Sequence, residues 1–177
     1  AATINMGECC IAGSRLLVEA PIAEAFQKGL ADRLSDLRMG DPFDPSSRIG
    51  AIINQAQFDR IAGLVCDGVS EGARILCGGD PENYSGLFYP PTVLANVTPE
   101  MRVAQEEVFG PVLSVMTFET ADDAIRLAND SDYGLAAYVW TNDLSMALAC
   151  SRRIRAGRVW VNSALHGFPE LPLGGFK

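Results

Sequence analysis

Short apolar runs alternate along this chain with stretches whose apolar residues recur at helical spacing, and the connections between them are brief. Strand-like runs fall at 14–19, 73–77, 91–97, 112–118, 135–140 and 158–162. Between them, Phe26, Leu30, Leu34 and Leu37 form one stripe of a helix over 21–38, with Pro21 in its first turn. Phe58, Ile61, Leu64 and Val65 give the inward side of a helix over 54–70. Thr120, with Asp123 three residues on, predicts a capping box for a helix that presents Ala124, Ile125 and Ala128 inward. Asn142 is expected to cap a last helix ending near Arg155, with Leu144, Leu148, Cys150 and Ile154 on its buried side and Gly157 as its stop. Such alternation predicts an α/β fold, an open and mostly parallel sheet with flanking helices, because parallel strands need crossover connections. Pro91, with Pro90 just before it, marks the 91–97 run as an edge strand or as an entry to the sheet. One domain over 1–177 accommodates all of it.

Composition narrows what such a domain can do. The net charge is −8 with no cluster of Lys or Arg, which argues against nucleic-acid binding, since phosphate contact needs concentrated positive charge. No apolar run reaches membrane-spanning length, and Ala1-Ala2-Thr3 lacks the basic and apolar regions of a secretory leader. Five cysteines, two of them adjacent and the rest scattered, do not make a disulfide framework, and a reducing, cytoplasmic setting is expected. Cys66, Cys77 and Cys150 sit on apolar stretches and read as core. The mean hydropathy of +0.12 predicts either a large core or apolar surface that something else covers.

Chemistry concentrates at Gly7-Glu8-Cys9-Cys10, just before an apolar run. A glycine there lets the chain bend with positive φ and present a thiol from the end of a sheet, which suits a nucleophile. The residues alone leave a second reading open, a buried pair of small hydrophobes. A Cys10–His166 dyad can be written on paper, since His166 is the lone histidine. A second unusual stretch, Glu106-Glu107-Val108-Phe109-Gly110-Pro111, places two carboxylates beside a turn. No glycine-rich phosphate loop opens any predicted helix.

These stretches, together with Gly40-Asp41-Pro42-Phe43-Asp44-Pro45, Asn129 to Leu135, Trp160-Val161-Asn162 and Pro172 to Lys177, occur in the order found in NAD(P)-dependent aldehyde dehydrogenases. The chain resembles the catalytic domain of that family along nearly its whole length. Gly7-Glu8-Cys9-Cys10 is similar to the family's Gly-Gln-x-Cys, with Glu8 in place of Gln, a departure expected to matter little. The resemblance implies that Cys10 is the nucleophile and Cys9 a bystander. It implies that Glu107 holds the nicotinamide ribose of NAD or NADP, and that Phe109 packs against the nicotinamide ring. Asn162, His166 and Phe168 fall where the family shapes its aldehyde tunnel, and Arg15 is expected to tie the cysteine loop down.

The resemblance also implies an aldehyde substrate and a homo-oligomer, with neither nucleic acid nor membrane as partner. The family's cofactor-binding domain, its general-base glutamate, its oxyanion asparagine and its C-terminal oligomerisation strand have no counterpart in these residues. On its own, the stretch is therefore expected to act as a non-catalytic structural or interaction domain.

Overall fold

A computed structural model describes residues 2–81, 86–167 and 170–177. The elements in chain order are β1 (Arg15–Glu19), α1 (Ala23–Ser35), α2 (Gln55–Ser70), β2 (Arg74–Cys77), β3 (Thr92–Ala95), α3 (Arg102–Gln105), β4 (Val112–Phe118), α4 (Ala121–Asn129), β5 (Ala136–Val139), α5 (Leu144–Arg153) and β6 (Arg158–Val161). Four strands form one sheet in the order β1-β4-β3-β2, and β5 and β6 pair in a second. The β1–β4, β4–β3 and β5–β6 pairings are parallel, and β2 alone runs antiparallel to its neighbour. The fold is thus α/β and mostly parallel, as the alternation requires, with the parallel pairs divided between two sheets.

β4 explains the layering. Val112 and Met116 join the core under α2, with Ile61, Leu64, Val65 and Tyr89. Leu113 and Val115 point to the other face, where Val18, Ala23 and Leu34 bring in β1 and α1. A strand covered on both faces shows a continuous apolar run instead of alternation, as the sequence 112–116 does. β3 is also interior, with every residue buried. The prolines at 90 and 91 therefore mark an entry and not an edge.

Helix starts follow local chemistry. Asn54 Oδ1 accepts from Gln57 N at 2.9 Å and opens α2. The box at α4 is complete, with Thr120 Oγ1 accepting from Asp123 N and Asp123 Oδ2 accepting from Thr120 N, both at 3.2 Å. At α5 the cap is Asp143 and not Asn142: its carboxylate accepts from Ser145 N at 2.7 Å and from Met146 N at 3.1 Å. Either residue type caps well, so the one-residue difference lies below what sequence resolves.

Other departures are differences of facing. Phe26, Leu144 and Leu148 are exposed; α5 buries Ala147 and Cys150 instead. Cys66 is exposed and Cys77 half-buried, so of the three cysteines expected in the core only Cys150 is buried there. Gly157 does not stop α5, which ends at Arg153. It is glycine because a Cβ there would overlap the Gly174 carbonyl of the C-terminal tail.

Ile61 has no exposed surface, and its side chain lies where a Cβ on Gly110 would stand, 2.7 Å from Ile61 Cγ1. It links α2 to the turn before β4. Ile61→Ala is expected to cost about 2–5 kcal/mol and Ile61→Val about 0.5–1.5 kcal/mol, from the lost transfer energy and the cavity left behind. Denaturant unfolding measures both, and equal small losses would contradict this packing.

Candidate active site

The turn that precedes Cys10 is left-handed. Asn5, Met6 and Gly7 have φ of 48°, 57° and 75°. For Asn5 and Met6 this costs about 1–2 kcal/mol each, so surrounding contacts must hold it. Those contacts are visible. Glu8 N donates to Asn5 O at 2.9 Å, and Asn5 Nδ2 donates to Glu8 O at 2.9 Å. Gly7 packs directly on the Gly110–Pro111 peptide; a Cβ at Gly7 would overlap the Gly110 carbonyl and stand 2.7 Å from Pro111 N. Downstream, Tyr138 Oη on β5 donates to Ile11 O at 2.6 Å, and its ring stacks on Trp160 of β6 with centroids 5.0 Å apart. The result is a turn pinned on both sides of a pair of cysteines, of which Cys10 is exposed and Cys9 half-buried.

The turn Glu106–Pro111 is held mainly from α2. Gln57 Nε2 donates to Val108 O at 2.9 Å and to Phe109 O at 2.8 Å. Arg60 donates to Glu107 O at 3.0 Å. The two adjacent carboxylates are then separated in kind. Glu106 pairs with Arg102 at 2.8 Å and with Arg60 at 3.2 Å, and the Arg102 hydrogen bond foremost holds its carboxyl below the usual range. Among the described residues nothing pairs with the Glu107 carboxylate; only its main chain is engaged, by Arg60 and by Tyr133 Oη at 3.4 Å from Glu107 N. Cys10, Glu106, Glu107 and Tyr133 all border one cleft of about 930 Å³ that runs between β1 and β5.

Of the other residues expected at cofactor and substrate, the described ones do not border that cleft. Phe109 is half-buried with φ of 55° and does not border that cleft. Asn162 is exposed, also with positive φ, and its side chain closes a pair of hydrogen bonds with Thr141 N at 2.9 Å and Thr141 O at 2.8 Å. His166 is exposed; its Nδ1 lies 2.7 Å from Ser163 Oγ, and its carbonyl accepts from Trp160 Nε1 at 2.9 Å. Neither Asn162 nor His166 borders the cleft. A Cys10–His166 dyad finds no support in this arrangement. Phe168 lies outside the described residues. Arg15 reaches the carbonyls of Leu127 at 2.8 Å and Asp130 at 3.2 Å, so it ties β1 to the end of α4 instead of to the cysteine turn. Among the described residues, no group of three or more His, Cys, Asp or Glu could hold a metal ion, and no helix is long and apolar enough to cross a membrane.

The likeness to known proteins runs over the whole chain. The model of the aldehyde dehydrogenase family covers residues 1–177. The chain belongs to the aldehyde dehydrogenase family. It is 46% identical to retinal dehydrogenase 2 of Rattus norvegicus over 98% of its own length and 33% of that protein's. It is 43% identical to a cytosolic aldehyde dehydrogenase of Macroscelides proboscideus, covering 98% of this chain and 72% of that one. Among solved structures it superposes on an NAD-dependent aldehyde dehydrogenase of Sinorhizobium meliloti with a TM-score of 0.93 and 49% identity, over 98% of this chain and 34% of that one. A betaine aldehyde dehydrogenase variant of Staphylococcus aureus, solved with NAD+ and with a mercaptoethanol-modified cysteine, gives 0.94 at 39% identity, over 98% of this chain and 36% of that one. The chain thus spans about a third of the length of retinal dehydrogenase 2 and of these solved structures.

Sequence reading missed Gln57, Arg60, Tyr133 and Tyr138, because each acts on a main-chain group far away in the chain. The signal within reach was a Gln and an Arg three apart on a helix otherwise read for its apolar stripe.

The cysteines should differ sharply in reactivity. Burial pushes the Cys150 thiol above its ordinary range, with Arg153 opposing only in part, and burial also raises Cys77. At near-neutral pH, iodoacetamide should label Cys10 and Cys66 first, Cys77 later and Cys150 last. Peptide mass spectrometry over time reads the order, and early labelling of Cys150 would contradict it.

Proposed function

We propose that this chain is the thiol-bearing part of an enzyme that oxidises an aldehyde to a carboxylic acid with NAD(P)+. The observation that carries the reading is the exposed Cys10 on a strained turn, backed directly onto the turn that carries an unpaired Glu107. Cys10 Sγ adds to the aldehyde carbon, forming a C–S bond and leaving an oxyanion on the former carbonyl oxygen. Among the described residues no backbone carbonyl accepts from Cys10 N–H, so that donor is free to face the oxyanion. Collapse of the adduct with loss of a hydride from the former aldehyde carbon, for which bound NAD(P)+ would be the acceptor, leaves a thioester on Cys10, and water then releases the acid and restores the thiol. The base that activates this water is expected outside these 177 residues.

The residues present suit one part of the cofactor. A carboxylate with both oxygens unengaged, as at Glu107, can accept from the two hydroxyls of a ribose and so fix a ring in place. When bound, NAD(P)+ supplies the hydride acceptor. Neighbours solved with NAD+ support that choice of cofactor class. Phe109 is proposed as a wall near the ring, and Asn162, His166 and Phe168 as part of the substrate passage, all by resemblance.

The exposed apolar residues Trp140, Leu144 and Leu148 support a covered face in a homo-oligomer. The cytosolic relative supports a cytoplasmic setting.

In the full-length protein, Cys10→Ala is expected to lower aldehyde oxidation at least ~1,000-fold. Glu107→Gln should raise KM for the dinucleotide about 10- to 100-fold, the loss of charge-assisted hydrogen bonds, with Cys10 alkylation unchanged. Steady-state NADH formation and thiol labelling test the pair. Undiminished oxidation by Cys10→Ala would overturn the assignment.

A further inference from the structure

We propose that Glu8 is a positioning residue for Cys10, its carboxylate clamping the cysteine turn to the 52–53 segment. The proposal rests on Cys10 being the nucleophile. Glu8 is only 9% exposed, and both its oxygens lie 3.2 Å from Ile53 N. The anchor is itself fixed: Ile52 is 2% exposed and donates its N–H to Leu87 O at 2.8 Å. A buried carboxylate that accepts a single bifurcated N–H is costly to keep, so it is retained where geometry requires it.

The geometry here is the left-handed Asn5-Met6-Gly7 turn, which Glu8 closes with its own N–H and carbonyl while its side chain fixes where the turn sits. Cys10 follows two residues later and, among the described residues, has no comparable side-chain tether of its own. The line along which Sγ meets a carbonyl carbon is therefore set through Glu8. What matters at this position is an oxygen that accepts from Ile53 N. Glutamine, which the related motif carries, offers one; alanine does not, and aspartate falls a methylene short.

The test uses the full-length protein with Glu8→Ala, Glu8→Asp and Glu8→Gln. Two readouts are taken: kcat and KM, and the rate of Cys10 alkylation divided by that of exposed Cys66 in the same molecule. Glu8→Ala and Glu8→Asp should lower kcat and the Cys10/Cys66 ratio about tenfold or more, as expected for a displaced reacting group, with KM for NAD+ changed less than about twofold. Glu8→Gln should restore both to within about twofold of the parent.

A parent-like labelling ratio in Glu8→Ala, or in Glu8→Asp if the alanine variant does not fold, overturns the clamp. So does a Glu8→Gln variant as impaired as Glu8→Asp. The labelling ratio needs no turnover, so failure of the clamp is distinct from failure of the nucleophile assignment, which Cys10→Ala reads separately.

Discussion

Gly7 and Gly110 touch through their backbones, and no side chain fits between them. That approach joins the two turns on which the chemistry depends. One carries Cys9 and Cys10, the other Glu106 and Glu107, and they are about a hundred residues apart in sequence. A left-handed backbone at Asn5 and Met6 is unfavourable by itself, and it persists because the contact at Gly7 leaves the turn little alternative. Phe109, Asn162 and Leu165 also have positive φ, in segments the family resemblance associates with cofactor and substrate, and so does Asn96 just after β3.

Helix α2 is the frame behind that contact. Within little more than one turn it presents Gln57 to the carbonyls of Val108 and Phe109, Arg60 to Glu106 and to the Glu107 carbonyl, and Ile61 to Gly110. The same helix buries Leu64 and Val65 in the core beneath β4. Packing and site geometry are therefore coupled through one element. The arginine network has a further effect. By engaging Glu106 it distinguishes two adjacent carboxylates that are identical in kind, and leaves Glu107 open at the cleft. On the other side, Tyr138 fixes the residue after Cys10 from the second sheet, so the cysteine turn is braced by both sheets.

Local chemistry was legible in the sequence and distant chemistry was not. The Thr120–Asp123 box, the helix over 54–70 and the strand run at 112–118 follow from neighbours within a few residues, and they fold as their patterns dictate. The facing of Leu144, Leu148 and Cys66 was misread, because a helical stripe says which residues share a face but not what covers it. At the site, motif order pointed to Cys10 and Glu107, and the cleft brings both to its walls. Glu8 looked peripheral because its partner, Ile53 N, is a main-chain group 45 residues away that no side-chain pattern announces. The bond between Tyr138 and Ile11 spans 127 residues and was invisible for the same reason.

If the Gly7–Gly110 contact sets both turns, a single methyl group should disturb thiol and cofactor together. Gly7→Ala in the full-length protein forces a Cβ into the Gly110 carbonyl at a φ of 75°. Cys10 alkylation and KM for NAD+ would be measured against Gly29→Ala, where a Cβ meets nothing within 4 Å. The account predicts that in Gly7→Ala both worsen about tenfold or more, as for a misplaced reacting group, while Gly29→Ala leaves both unchanged. Parent-like values in Gly7→Ala, or a change in one quantity without the other, would contradict it.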